Sequence, residues 1–154
     1  MNKKLTTLID MAIRREEEAY SFYMDIYGKI EDPSVRDTIE FIAAEEKKHK
    51  AFLVNFREKQ HGARAMKMSE VTYYKIAEYL KEPEIVKDMQ SQDVYLIASH
   101  RELRSHKFYT ELASLQPEGE AKTMLSRMAN EELKHKEKME YLYANTAFPQ
   151  TSGG

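Results

Sequence analysis

Displaced by 86 residues, one part of this sequence lies on another without a gap. Ala12 falls on Ala98, Arg15 on Arg101, Glu16 on Glu102, Phe22 on Phe108 and Tyr23 on Tyr109. At the same shift Ala43 falls on Ala129, Glu45-Glu46 on Glu131-Glu132, and Lys48-His49-Lys50 on Lys134-His135-Lys136. A match that runs through two periodic segments and the turn between them implies a duplicated helix pair. Two such pairs pack with approximate two-fold symmetry into one bundle.

The periodicity supplies the helices. Residues 5–29 carry Leu5, Leu8, Ala12, Ala19, Tyr23 and Ile26 on one face. Asp32-Pro33 reads as an N-cap followed by proline at the first helical position. A second helix over 33–60 places Val35, Ile39, Ile42, Leu53 and Phe56 inward and stops near His61-Gly62. A third spans 92–115 through Val94, Ala98, Tyr109 and Leu112. After a turn at Gln116-Pro117-Glu118-Gly119, a fourth covers 118–144 through Ala121, Leu125, Met128, Met139 and Leu142. The two short turns make two antiparallel hairpins. Residues 61–91 must then cross over between them, a length that calls for structure of its own. SEVTYYKIAEYL fits a short helix capped by Ser69, with Glu82-Pro83 interrupting it. The expected fold is therefore all-α: a four-helix bundle of two hairpins joined by a long, partly helical crossover. The domain spans 1–148, and 149–154 form a flexible tail.

Within that fold the polar residues converge. The second helix reads Ile39, Ile42, Glu46, His49, Leu53, Phe56, and the fourth repeats the spacing as Leu125, Met128, Glu132, His135, Met139, Leu142. Glu46–His49 and Glu132–His135 are each one turn apart on an inward stripe. Glu16 lies between Ala12 and Ala19, and Glu102 between Ala98 and Ser105, so small neighbours leave room around each carboxylate. Equal rise per residue brings each hairpin's three groups to one level, about 20 Å from its turn. Four carboxylates meeting in a dry core repel each other and lose hydration at several kcal/mol per unpaired ion. Two cations offset that charge, and two imidazoles complete the donors. One Glu from each of two helices and a Glu-x-x-His from each of the others is the donor set of di-iron and di-manganese bundles. The expected ligands are Glu16, Glu46, His49, Glu102, Glu132 and His135. The bland reading makes the histidines core residues and pairs the glutamates with lysines or arginines.

Neighbouring groups read differently. Helix geometry turns Glu45 and Glu131 away from the ligands, and Glu17 and Glu18 fall on a solvated face. His61, His100 and His106 have no repeated acidic partner at ligand spacing. Tyr23 and Tyr109, two turns beyond Glu16 and Glu102, either donate to a ligand carboxylate or pack as aromatics bonded to a core carbonyl.

Composition limits the rest. With 154 residues, 42% hydrophobic and 32% charged, the chain can bury one ordinary core. A net charge of -2 argues against nucleic-acid binding, and no apolar run suffices for a membrane span. No signal-type apolar segment opens the sequence, so a cytoplasmic location is the default expectation. There is no cysteine, which removes disulfides, iron–sulfur clusters and thiolate-bound zinc or iron from this chain. Iron is the expected metal, with manganese or zinc as substitutes on the same ligands.

At Glu16-x-x-Ala19-x-x-Phe22-Tyr23 with Glu46-x-x-His49, and at Glu102, Phe108-Tyr109 and Glu132-x-x-His135, the chain resembles the rubrerythrin branch of the ferritin-like superfamily. The resemblance covers most of 5–144. It implies a di-iron centre bridged by Glu46 and Glu132, with Glu16 and Glu102 terminal and His49 and His135 capping the metals. It further implies redox chemistry with hydrogen peroxide or oxygen, and a homodimer, in some members with exchanged helices. Two departures are plain. Rubrerythrins proper carry a cysteine-bound rubredoxin iron, which a chain without cysteine cannot hold, so electrons must come from a separate donor protein. They also place a further carboxylate one turn after the third-helix ligand, where this chain has Ser105. Peroxide reduction is thus the leading expectation. Ferrous-iron oxidation in iron handling and a non-catalytic metal-binding or structural role are the alternatives.

Overall fold

The structure, a computed structural model, describes residues 3–59, 76–86 and 89–147. Four long helices and one short one appear in the order α1 (Lys3–Tyr27), α2 (Pro33–Lys59), α3 (Ile76–Tyr79), α4 (Ser91–Ser114) and α5 (Glu120–Ala147). The closest packing joins α1 to α2 and α4 to α5, while α3 lies on α4. This is the expected all-α, ferritin-like bundle of two hairpins. Among the described residues no helix is long and apolar enough to cross a membrane.

Local chemistry sets the turns. Asp32 Oδ1 accepts from the Ser34 amide at 2.9 Å, and its carbonyl accepts from Arg36 N at 3.0 Å, so Asp32 caps α2 as its sequence implied. Asp32 Oδ2 also accepts from Ser91 Oγ at 3.0 Å, which ties the first turn to the start of α4. In the second turn Gly119 sits at φ +155°, a conformation L side chains rarely adopt. Its carbonyl accepts from both the amide and the hydroxyl of Thr123, each at 3.1 Å.

Several helix boundaries differ from expectation, α4 covering 91–114 rather than 92–115. α1 runs over 3–27 rather than 5–29, because Gly28 and Lys29 form a turn. α5 begins two residues later and continues to Ala147. The crossover helix is described over 76–79 and ends ahead of Pro83, while its expected first part at 69–75 lies outside the described residues. Its expected cap Ser69, the stop at His61-Gly62 and the 149–154 tail lie outside the described residues.

The core is split in two. Ile9, Leu53, Phe56, Leu112, Leu125 and Met128 belong to one apolar cluster, and Ile26, Val35, Ile39, Ile42, Val94 and Met139 to another. The buried carboxylates and imidazoles fall between them along the helices.

Candidate metal centre

All six sequence-predicted ligands are buried, each no more than 6% exposed. They form two overlapping sets. Donor atoms of Glu16, Glu46, His49 and Glu132 lie within 4.8 Å of one another, and so do those of Glu46, Glu102, Glu132 and His135. Glu46 and Glu132 belong to both. Each remaining Glu stands in one set with the histidine of its own hairpin.

The imidazoles lie nearly parallel, with ring centroids 5.6 Å apart and 15° between planes. Both direct Nδ1 inward. His49 Nδ1 is 3.0 Å from Glu132 Oε1, and His135 Nδ1 is 3.9 Å from Glu46 Oε1 and Glu102 Oε2.

Tyrosines lock the arrangement crosswise. Tyr23 of α1 donates to Glu102 Oε1 of α4 at 2.8 Å, and Tyr109 of α4 donates to Glu16 Oε1 of α1 at 2.6 Å. Both are carboxylate donors, and each reaches the opposite hairpin. Arg15 lies over the Phe108 ring and Arg101 over Phe22, repeating that exchange. These reciprocal contacts are what a two-fold axis between α1 and α4 requires.

Without a cation the cluster is electrostatically unbalanced. Burial, then the neighbouring Glu132, Glu102 and Glu16, holds the Glu46 carboxyl well above the ordinary range. Burial with Glu102 and Glu16 does the same to Glu132. Burial opposes ionisation of Glu16 too, but hydrogen bonding with Glu46, His49 and Tyr109 leaves it below the usual value. For His49, burial is outweighed by the carboxylates of Glu16 and Glu46, and its pKa is raised. Burial and the charge on His49 lower that of His135. The phenols of Tyr23 and Tyr109 are pushed well up, by burial first and then by the carboxylates, so they remain protonated donors.

The residues fit a metal pair on a direct test. Glu16 Oε2, Glu46 Oε1, Glu102 Oε2, Glu132 Oε2 and His135 Nδ1 are buried without any hydrogen-bond partner. Leaving such atoms unpaired costs about 1–3 kcal/mol each, more when charged. All five are lone-pair donors of the kind divalent iron, manganese or zinc accepts, and they lie on five of the six predicted residues. The bland alternative, glutamates neutralised by lysines or arginines, finds no such partner among the described contacts of these four carboxylates.

Groups set aside by spacing stay outside. Glu45 and Glu131 are part-exposed and pair with Lys48 and Lys134 one turn on, at 3.7 and 3.6 Å. His106 Nδ1 donates to the Ala129 carbonyl at 2.8 Å, and His100 Nε2 to that of Leu80 at 2.7 Å. His61 lies outside the described residues. The sequence reading missed Lys136, which is fully buried beside its ligand neighbour His135. Its ammonium bonds Glu140 at 2.6 Å, Glu78 at 2.8 Å and Glu137 at 3.3 Å. Glu140 four residues on was the available signal, because an i,i+4 pair on an inward-leaning face can bury its lysine.

The rubrerythrin family model matches residues 7–143. The chain belongs to the rubrerythrin family. A solved structure of a hypothetical protein from Pyrococcus furiosus superimposes with a TM-score of 0.67 at 25% identity, covering 96% of this chain and 92% of that one. Comparison with curated proteins gives no match. As a rubrerythrin the chain is of a di-iron, generally oxidoreductase, kind, and its buried carboxylate and histidine groups are ones that could hold metal.

Proposed function

We propose that the chain is a non-haem di-iron oxidoreductase that reduces hydrogen peroxide with electrons from a separate donor protein. The observation that carries this reading is the pair of four-group sets sharing Glu46 and Glu132, with orphaned oxygens pointing between them. In this reading Glu16 and His49 would hold one iron and Glu102 and His135 the other, with Glu46 and Glu132 common to both sets. When bound, the irons would supply redox equivalents and Lewis acidity toward the developing oxyanions.

The chain's own residues then have definite tasks. Glu46 and Glu132 would give up the protons that burial favours on them to serve as the shared carboxylates. Tyr23 and Tyr109 hold Glu102 and Glu16 in fixed rotamers and do not titrate near neutrality. The two apolar clusters keep bulk water from both ends of the site. Hydrogen peroxide, two electrons and two protons give two waters. With no cysteine in the sequence, the replenishing electrons come from outside this chain.

Anaerobic ferrous loading followed by parallel peroxide and oxygen challenges tests this. The expected result is about two irons per chain and stoichiometric oxidation that is faster with peroxide. Preference for oxygen with continued consumption of added ferrous ion would replace peroxidase by iron oxidase. Failure to bind two metals would remove the reading altogether.

A further inference from the structure

The duplication predicts two equivalent approaches to the carboxylates, one on each hairpin, and among the described residues the two differ. Between α1 and α2 a cleft of about 260 Å³ reaches Glu16 and Glu46, with Glu17, Tyr20, Lys47 and Lys50 around it. Lys47 Nζ lies over the Tyr20 ring, 4.7 Å from its centroid, and Lys50 Nζ is 3.3 Å from Glu17 Oε2. The 86-residue shift carries Glu17 to Leu103, Tyr20 to His106, Lys47 to Leu133 and Lys50 to Lys136. On that side Leu133 and Lys136 are buried, and α3 lies across the position, its Glu78 bonded to Lys136 and its Ala77 amide donating to Glu140 at 2.6 Å.

We propose that the α1/α2 cleft is the port by which small neutral or anionic molecules, such as peroxide or azide, reach the centre, and that Lys47 and Lys50 select against hydrated cations there. Two ammonium groups against one Glu17 carboxylate leave the rim net positive, which concentrates anions and repels divalent ions. The carboxylates behind it are held as ligands and do not reverse that sign for a visitor once metals neutralise them. This rests on the six residues binding metal, but not on peroxide being the physiological substrate.

The test uses the full chain loaded with cobalt(II), whose visible absorption reports a small anion joining the metal. Azide is titrated into the parent protein, Lys47→Glu/Lys50→Glu, the milder Lys47→Gln/Lys50→Gln, and Ser21→Trp, which fills the exposed rim of the cleft. The charge-reversed protein should bind azide about tenfold more weakly, and the Gln pair should fall in between. Ser21→Trp should slow azide binding with little change in cobalt uptake. Lys134→Glu, in the cleft between α2 and α5 that Glu45, Lys48, His49 and Glu131 also line, should stay within about twofold of the parent. Equal azide affinities and rates across the cleft variants, or a larger effect from Lys134→Glu, would overturn the port. Absence of cobalt uptake in the parent would instead overturn the metal centre. Peroxide inertness with intact azide dependence would overturn only the peroxidase reading.

Discussion

The two hairpins are near-copies inside and unlike outside. Facing the centre, each supplies one lone Glu, one Glu-x-x-His and one tyrosine that reaches across to the other. Facing outward, Lys50 on α2 keeps its side chain 43% exposed beside Glu17, while its mate Lys136 on α5 is buried against α3. Val54 and Ala51 on the first hairpin correspond to Glu140 and Glu137 on the second, which hold that buried lysine. The difference shows which part of the repeat the centre constrains. Matched donors are needed for two equivalent metals, whereas the outer faces answer only to the crossover.

The largest effects should come from the shared residues. Glu46→Ala or Glu132→Ala each remove a member of both donor sets, so metal content should fall from about two per chain toward none. Glu16→Ala or Glu102→Ala touches one set, and roughly half the metal should remain. Elemental analysis after anaerobic loading distinguishes these outcomes, with Glu45→Ala as the unchanged reference. Equal loss from all four ligand variants would break the division into two overlapping sites.

Next in size is the outer contrast. Lys136→Met removes the buried cation that Glu140, Glu137 and Glu78 share, and denaturant unfolding should show a loss of about 2–4 kcal/mol. That figure is set below a deep-core ion pair because Glu78, one of the three partners, is 32% exposed. Lys50→Met, at the equivalent position, should cost about 0–1 kcal/mol. Similar costs at both positions would mean that α3 does not seal the second hairpin.

A pH dependence follows from the raised carboxyls. In the metal-free protein Glu46 and Glu132 keep protons above their ordinary value of 4.5. Their contribution to stability is therefore fully present below that value and is lost as pH rises through the raised pKa. Metal binding replaces those protons, so the melting-temperature gap between loaded and metal-free protein should widen from acid toward neutral pH. Loading in weak buffer should also release protons, visible with an indicator dye. A gap that narrows with pH contradicts the assignment.

The smallest effects test the symmetry itself. Tyr23→Phe and Tyr109→Phe each remove one buried donor to a carboxylate, and each should cost about 1–2 kcal/mol. Near-equal values by denaturant unfolding support the two-fold axis through the interior, and a large inequality confines it to sequence.

The convergence of the six candidate ligands was legible because helical periodicity and one constant shift locate them without knowledge of packing between hairpins. Ala12, Ile39, Leu53, Leu125 and Met128 are buried for the same reason. The crosswise partners of Tyr23 and Tyr109 were not, since the relative register of α1 and α4 is a tertiary quantity that neither turn fixes. The burial of Lys136 was not legible either. Lys48-His49-Lys50 and Lys134-His135-Lys136 are the same string, and only the placement of α3 buries one copy's last lysine. That placement depends on a crossover whose short helix has too few residues for periodicity to define.

The repeat has one more consequence, for ancestry. A single hairpin carries half of the donors, so two identical hairpins meeting on a dyad would already complete the set. Such a pair is bound to symmetry: any residue that closes one approach closes its image, and any charge placed at one rim appears at both. Joining the halves in one polypeptide lifts that constraint. Leu133 could then depart from Lys47, and Glu137 and Glu140 from Ala51 and Val54, leaving the interior doubled and the doorway single.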